Sequence, residues 1–399
     1  MKSEQQLLPF PKRRVLEDAA FGQGLNPTML FSLLLPVYEV EVETTTRYGR
    51  DYALIDKFAE RAIAEGQVTT ESELVQFLKL DALLVDRAVR VLERIGHLTR
   101  CGPRLELTAL ARESLRDNTC YEDRRHDRRK LYFDAYRCQP LHRRYYESES
   151  VTFLNRADLR SPVVAEFSPL GLGVPFRPEV LERLGDRDER EKYNLPIEVE
   201  NPHLARPEFA YLPVYVVRAL DRGAKPRYLV YGQAAGGELD QELSALCQHT
   251  PEITAALENE IRATGDQQPR IKKWLDSAGL RDRELVRFPD GSWRVSLLPG
   301  DFKPAGNLRL SEAGSFIALR AAVVRMWCGD AELRHRALFE RVETFLHGFR
   351  ARPAEVPRLI RQIGAQLRFG DLDVAAVRTM ALSAGRTELV ERLDEFLRN

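Results

Sequence analysis

Pro289-Asp290, followed after ten residues by Asp301 and then Lys303, is the arrangement in this chain whose residue types suit phosphodiester hydrolysis. Two carboxylates can hold a Mg2+ ion, and a lysine beside them can help to activate the attacking water. The chemistry also requires Asp301 and Lys303 on a strand next to Asp290. Pro299-Gly300 and Pro304 favour a loop instead, and Asp290 is accounted for by a Pro289-Asp290-Gly291 turn. Other signatures are absent: no phosphate-binding glycine loop, no nucleophile elbow and no helical zinc motif. Gly171-Leu172-Gly173 runs into Val174-Pro175, which cannot open a phosphate-binding helix. The seven histidines are scattered without ligand spacing, so neither a metal nor a cofactor is expected. His97, just after Gly96, reads as a surface or helix-capping residue.

A second cluster suits binding rather than catalysis. Residues 121–146 carry Arg124, Arg125, Arg128, Arg129, Lys130, Arg143 and Arg144, interleaved with Tyr132, Phe133, Tyr136, Tyr145 and Tyr146. Cations contact phosphates, and aromatic planes stack on unpaired bases. The competing reading is a β-hairpin turning at Gln139-Pro140, its aromatics packed inward and its arginines solvated. The chain has 60 basic and 60 acidic residues, so any affinity for nucleic acid must be local.

The elements that would position this cluster lie just before it. Apolar residues at three- and four-residue spacing (Leu54, Ile55, Phe58, Ala62, Ile63) predict a helix ended by Gly66. Thr70 and Glu73 form a capping box for a short helix burying Leu74, Phe77 and Leu78. Asp81 caps a third, with Leu84, Val85, Ala88, Val89, Leu92 and Ile95 inward. A hairpin at Gly102-Pro103 and a closing helix follow. In this order residues 52–116 resemble the winged helix-turn-helix superfamily, in a layout similar to MarR-type bacterial regulators. The resemblance implies that the third helix enters the major groove and the hairpin touches backbone. Arg87, Arg90, Arg94, Arg100 and Arg104 would then face DNA. The first turn, Asp81-Ala82-Leu83-Leu84, offers no Ser, Asn, Gln or Arg to base edges.

Around this core the sequence predicts an α+β protein. An N-terminal arm and strand (1–50) precede the winged helix (51–118), and the basic aromatic hairpin (119–155) follows it. A mixed α/β domain (156–305) and a helical bundle (306–399) complete the chain. The strand falls over 33–46, a charged helix over 180–193, and the bundle begins with a helix at 312–328. Leu338, Val342, Phe345 and Phe349 form a core stripe within it. The echo of Leu35-Pro36-Val37-Tyr38 in Leu212-Pro213-Val214-Tyr215 suggests two similar strands in one sheet.

Five cysteines without a C-x-x-C pair argue against a disulfide framework and fit a reducing cytoplasm. No run of about 18–20 apolar residues suggests a membrane span. The expectation is a cytoplasmic, non-catalytic DNA-binding subunit of a bacterial genome-maintenance or phage-defence assembly. Its DNA would be double-stranded or single-stranded, beside a protein partner. One alternative is a docking scaffold whose winged helix binds protein. The other is a Mg2+-dependent nuclease, since Asp290, Asp301 and Lys303 are spaced similarly to the PD-(D/E)-x-K nucleases.

Overall fold

Alternation of apolar and acidic residues fixes a strand that proves longer than its pattern. β1 runs Asn26–Arg50 in the computed structural model, which describes residues 7–147, 151–171, 173–196, 199–347 and 353–398. The chain forms two compact units, and β1 contributes to both.

One unit comprises Val37–Tyr146 and Gly173–Phe209. Helices Leu54–Gly66, Glu71–Leu78 and Ala82–Arg94 are followed by β2 (Leu98–Cys101), β3 (Arg104–Leu107) and helix Ala109–Asp117. Thr70 accepts from the Glu73 amide, and the Glu73 carboxylate from the Thr70 amide. Asp81 caps the third helix through the Leu83 amide. The hairpin turns at Gly102, whose φ of +64° lies in the left-handed region. Ala59, Leu74, Val85, Val89, Leu92, Leu105 and Ala111 form a closed core.

β4 (Cys120–Asp134) pairs antiparallel with β1 from Val37↔Asp134 to Arg50↔Cys120. This corrects the expected hairpin, in which the basic strand pairs with the residues after Gln139-Pro140. The chain does reverse after Asp134, but the returning limb pairs only near Phe133↔Pro140 and enters a helical turn, Arg144–Glu147. The strand finds its ladder in β1, where alternating glutamates oppose its cations. The charged segment at 180–193 is likewise shorter than one helix: Glu179–Gly185, then a 3-10 turn at Arg190–Tyr193.

The other unit comprises Met1–Pro36, Glu147–Leu172 and Ala210–Asn399. Its strands are β5 (Ser168–Pro169), β6 (Val199–Leu220, shared between the units like β1), β7 (Pro226–Gly232), β8 (Leu239–Asp240), β9 (Leu285–Arg287), β10 (Trp293–Leu297), β11 (Phe316–Leu319) and β12 (Ala322–Cys328). The order β8-β7-β6-β1-β12-β10-β9 makes the two echoing strands neighbours. Residues 312–328 are therefore not the first helix of a bundle. β11 and β12 form a hairpin, and β12 lies parallel to β10 inside the sheet. Val323 and Val324 are buried β-formers, and the strand has partners on both edges, which outweighs a helical reading of the same run. Helices Ala331–Leu346, Val356–Leu367, Val374–Ser383 and Thr387–Arg398 share one core with β10 and β12. Leu338 and Val342 lie in that core and Phe345 packs at its edge, while Phe349 lies outside the described residues. In the N-terminal arm, Leu8, Phe10, Val15 and Leu16 are buried against β6 and β7. Among the described residues no helix is long and apolar enough to cross a membrane.

Candidate functional site

The β1–β4 ribbon brings acids to the basic strand. Arg128 pairs with Glu43 at 2.9 Å and approaches Glu41 at 3.7 Å, and Lys130 pairs with Glu39. Register explains this, because Glu39, Glu41 and Glu43 alternate on the same face as Lys130 and Arg128. The side chains of Arg124 and Arg125 lie outside the described residues. The aromatics expected to stack on bases are engaged internally. Tyr145 is buried, and the Tyr132 and Tyr146 rings sit 5.1 Å apart, with the Tyr146 hydroxyl accepting from the Tyr132 amide. Burial pushes both hydroxyls above the usual tyrosine range. Tyr136, Arg129, Arg143 and Arg144 also have partners within the protein. Among the described residues of the ribbon, Arg128 and Lys130 are exposed beside glutamates, while Tyr132, Tyr145 and Tyr146 pack within the protein.

The third helix presents a different surface. Leu83, Arg87, Arg90 and Arg94 recur at i, i+4, i+7 and i+11, so one outward face carries all four. Arg90 is held by Asp86 at 2.9 Å. On the hairpin, Arg100 is held by Glu93 at 2.8 Å and by Glu71 at 3.3 Å, whereas Arg104 is exposed. The leading turn is apolar: Leu83 is 78 % exposed and Leu84 44 %. Leu54, Phe58 and Phe77, expected in the core, are also exposed. The buried stripe Val85-Ala88-Val89-Leu92 already fills the third helix's inward face. Ala59 and Ala62 do the same for the first helix, which leaves its bulkier neighbours outside. The signal for Leu83 was present in the sequence, since it falls in register with the arginines and not with the core.

Beneath this surface lies a polar network that sequence reading missed. His97 is fully buried, not a surface cap. Its Nδ1 lies 2.5 Å from Glu60 Oε1 and its Nε2 2.5 Å from the Tyr121 carbonyl, while the Tyr52 hydroxyl donates to Glu60 Oε2 at 2.7 Å. The Tyr121 carbonyl only accepts, so Nε2 carries a proton; with Glu60 ionised Nδ1 carries one too and the ring is an imidazolium. Burial alone would lower the His97 pKa. The hydrogen bond and charge of Glu60, helped by the Tyr121 carbonyl, outweigh it and hold the ring above its ordinary value. Ser114 Oγ lies 3.5 Å from His97 Nε2, which gives the residue types of a Ser-His-Glu triad. All three side chains are sealed from solvent, so no substrate can reach the hydroxyl. The network instead ties the first helix to β2, the closing helix and β4.

A pH dependence follows. Tyr52, Asp56, Arg50 and Cys120 also surround the pair, and burial raises Asp56, Tyr52 and Cys120 towards their neutral forms. With its folded pKa raised, His97 contributes stability that is complete below about pH 6.5 and lost as pH rises through the raised value. Denaturation midpoints measured on the alkaline side of neutrality are expected to fall with pH, and His97→Leu to flatten that fall. A wild-type midpoint that rises over the same range contradicts the imidazolium assignment.

The hydrolytic candidates do not form a metal site. Asp301 sits in a 3-10 turn, Pro299–Asp301, and its carboxylate is held by Arg283 at 2.6 and 2.7 Å and by the Leu298 amide. Burial opposes its ionisation, but Arg283 and that amide outweigh burial and keep its pKa below the ordinary carboxylate value. Asp290 caps its own turn through Ser292 and accepts from Asn26 at 2.6 Å. Lys303 lies in the turn beyond, not on a strand beside Asp290. Among the described residues no group of three or more His, Cys, Asp or Glu could hold a metal ion. Asp301→Ala is expected to cost about 1–3 kcal/mol by leaving Arg283 and the Leu298 amide unpartnered, and equilibrium unfolding reads this directly.

No protein family, characterised protein or solved structure matches this chain.

Proposed function

We propose that the protein is a non-catalytic subunit whose winged-helix segment, residues 52–116, docks a protein partner. The observation that carries this reading is the leading turn of the third helix, where Leu83 and Leu84 occupy the positions that would meet base edges. Leucines cannot hydrogen-bond to base edges, whereas exposed apolar anchors are what a protein interface buries. Leu54, Phe58 and Phe77 add three such anchors within the same segment. The partner is expected to present apolar side chains at the centre of the interface.

The test is purification of the full chain from its native cells with Leu83→Asp, against Arg87→Gln/Arg94→Gln. A stoichiometric partner held by the arginine variant and lost from the aspartate variant supports docking. The absence of any such partner for the wild type counts against it.

A second reading rests on Arg87, Arg94 and Arg104, which are exposed on the outward helix face and the hairpin. These three could contact DNA phosphates without reading sequence. In that case DNA affinity falls steeply with salt, and the triple glutamine variant reduces both affinity and salt slope. Salt-independent or undetectable binding removes this reading.

A further inference from the structure

A second site lies in the other unit. Arg294 on β10 and Arg325 on β12 are direct partners in the parallel ladder, so two like charges sit side by side on one sheet face. Such a pair is destabilising when nothing compensates it. Arg368, just past helix Val356–Leu367, adds a third guanidinium 4.7 Å from the Trp327 ring that Arg325 also contacts. The three arginines line one cavity of about 200 Å3 with Phe288, Trp293 and Phe316. No carboxylate among the described residues forms an ion pair with any of them. The acid in the lining, Asp290, is committed to Ser292 and Asn26.

The cavity is therefore strongly electropositive and incompletely satisfied. The Nε atoms of Arg294 and Arg325 are buried without hydrogen-bond partners, although Arg325 Nη2 donates to the Gln366 carbonyl at 3.1 Å. Burial, reinforced by the charges of Arg368 and Arg294, lowers the Arg325 pKa to about 10, so the group stays charged at neutral pH. Phe288 lies 5.1 Å from the Arg294 guanidinium, and Phe316 6.0 Å from that of Arg325, which restrains both forks.

We infer that this cavity binds a phosphate monoester, with Arg294, Arg325 and Arg368 as its phosphoryl clamp. Planar guanidinium forks match phosphoryl oxygens, and three cations suit a dianion better than a single carboxylate. The site shares no residue with the docking segment, so each can fail without the other.

Tryptophan fluorescence and thermal denaturation of the full chain test it, with inorganic phosphate as the probe and chloride at matched ionic strength as control. Phosphate is expected to give a saturable signal change and a raised melting temperature, and chloride neither. Arg294→Gln is expected to weaken phosphate binding about ten- to hundredfold, yet to melt no lower than wild type without phosphate, because repulsion is relieved. Arg368→Gln, at an exposed position, gives the same loss of affinity should the first variant fail to fold. Adenosine 5′-monophosphate and a 5′-phosphorylated oligonucleotide then show whether the phosphoryl group arrives on a small molecule or a strand end. No saturable response to phosphate, or an unchanged response in both variants, overturns the proposal.

Discussion

His97→Leu is expected to destabilise the unit containing residues 52–116 by about 3–5 kcal/mol, the range for breaking one partner of a buried ion pair. The variant leaves the Glu60 carboxylate sealed from solvent with only the Tyr52 hydroxyl to satisfy it. It also strips the Tyr121 carbonyl of a donor at 2.5 Å. Leucine fills much of the same space, so the loss is electrostatic more than a cavity effect. The double variant Glu60→Leu/His97→Leu therefore recovers part of the stability, because no charge then remains buried. Urea unfolding of the three proteins measures the coupling. If the single variant costs less than about 1 kcal/mol, the pair is not the buried ionic link described.

Gly173→Ala is expected to cost about 3 kcal/mol or more, as severe overpacking against backbone does. A Cβ at this position would come within 1.7 Å of the Ala135 carbonyl oxygen, which no side-chain movement can relieve. The same carbonyl accepts from the Val174 amide at 2.9 Å, and the Val174 carbonyl accepts from the Tyr38 hydroxyl at 2.7 Å. Phe176 then packs on Tyr38 and Phe133. The glycine thus lets residues 173–176 lie directly on the turn that follows β4. Asp134, which holds that turn through the amides of Tyr136, Arg137 and Gln139, makes the carbonyl's position rigid. Gly171→Ala, with open space around its Cβ position, is expected to be nearly silent. Equal effects at the two glycines would contradict this packing.

What the sequence made legible was local. Caps at Thr70 and Asp81, glycine stops and the apolar stripe from Val85 to Leu92 are written within a few residues, and the helices of residues 54–117 follow them closely. What it concealed depends on strand partners. Arg128 and Lys130 of β4 gain ion-pair partners only because β1 brings Glu39, Glu41 and Glu43 to their face. Residues 312–328 looked helical until β12 was seen beside β10. The same limit hid both buried charge clusters. Glu60 and His97 are separated by 37 positions, and Arg294 meets Arg325 only through a parallel ladder. Neither pairing leaves a spacing that a linear reading can find. The exposed leucine at 83 was legible in principle, but its meaning came from the buried stripe that excludes it.

Docking through the third helix is tested most directly by partner retention in the full chain carrying Leu83→Asp, measured as the stoichiometry of co-purifying protein from native cells. The expected result is loss of a partner that both the wild type and Arg87→Gln/Arg94→Gln retain at equal stoichiometry. Retention by the aspartate variant would contradict docking through the exposed leucines.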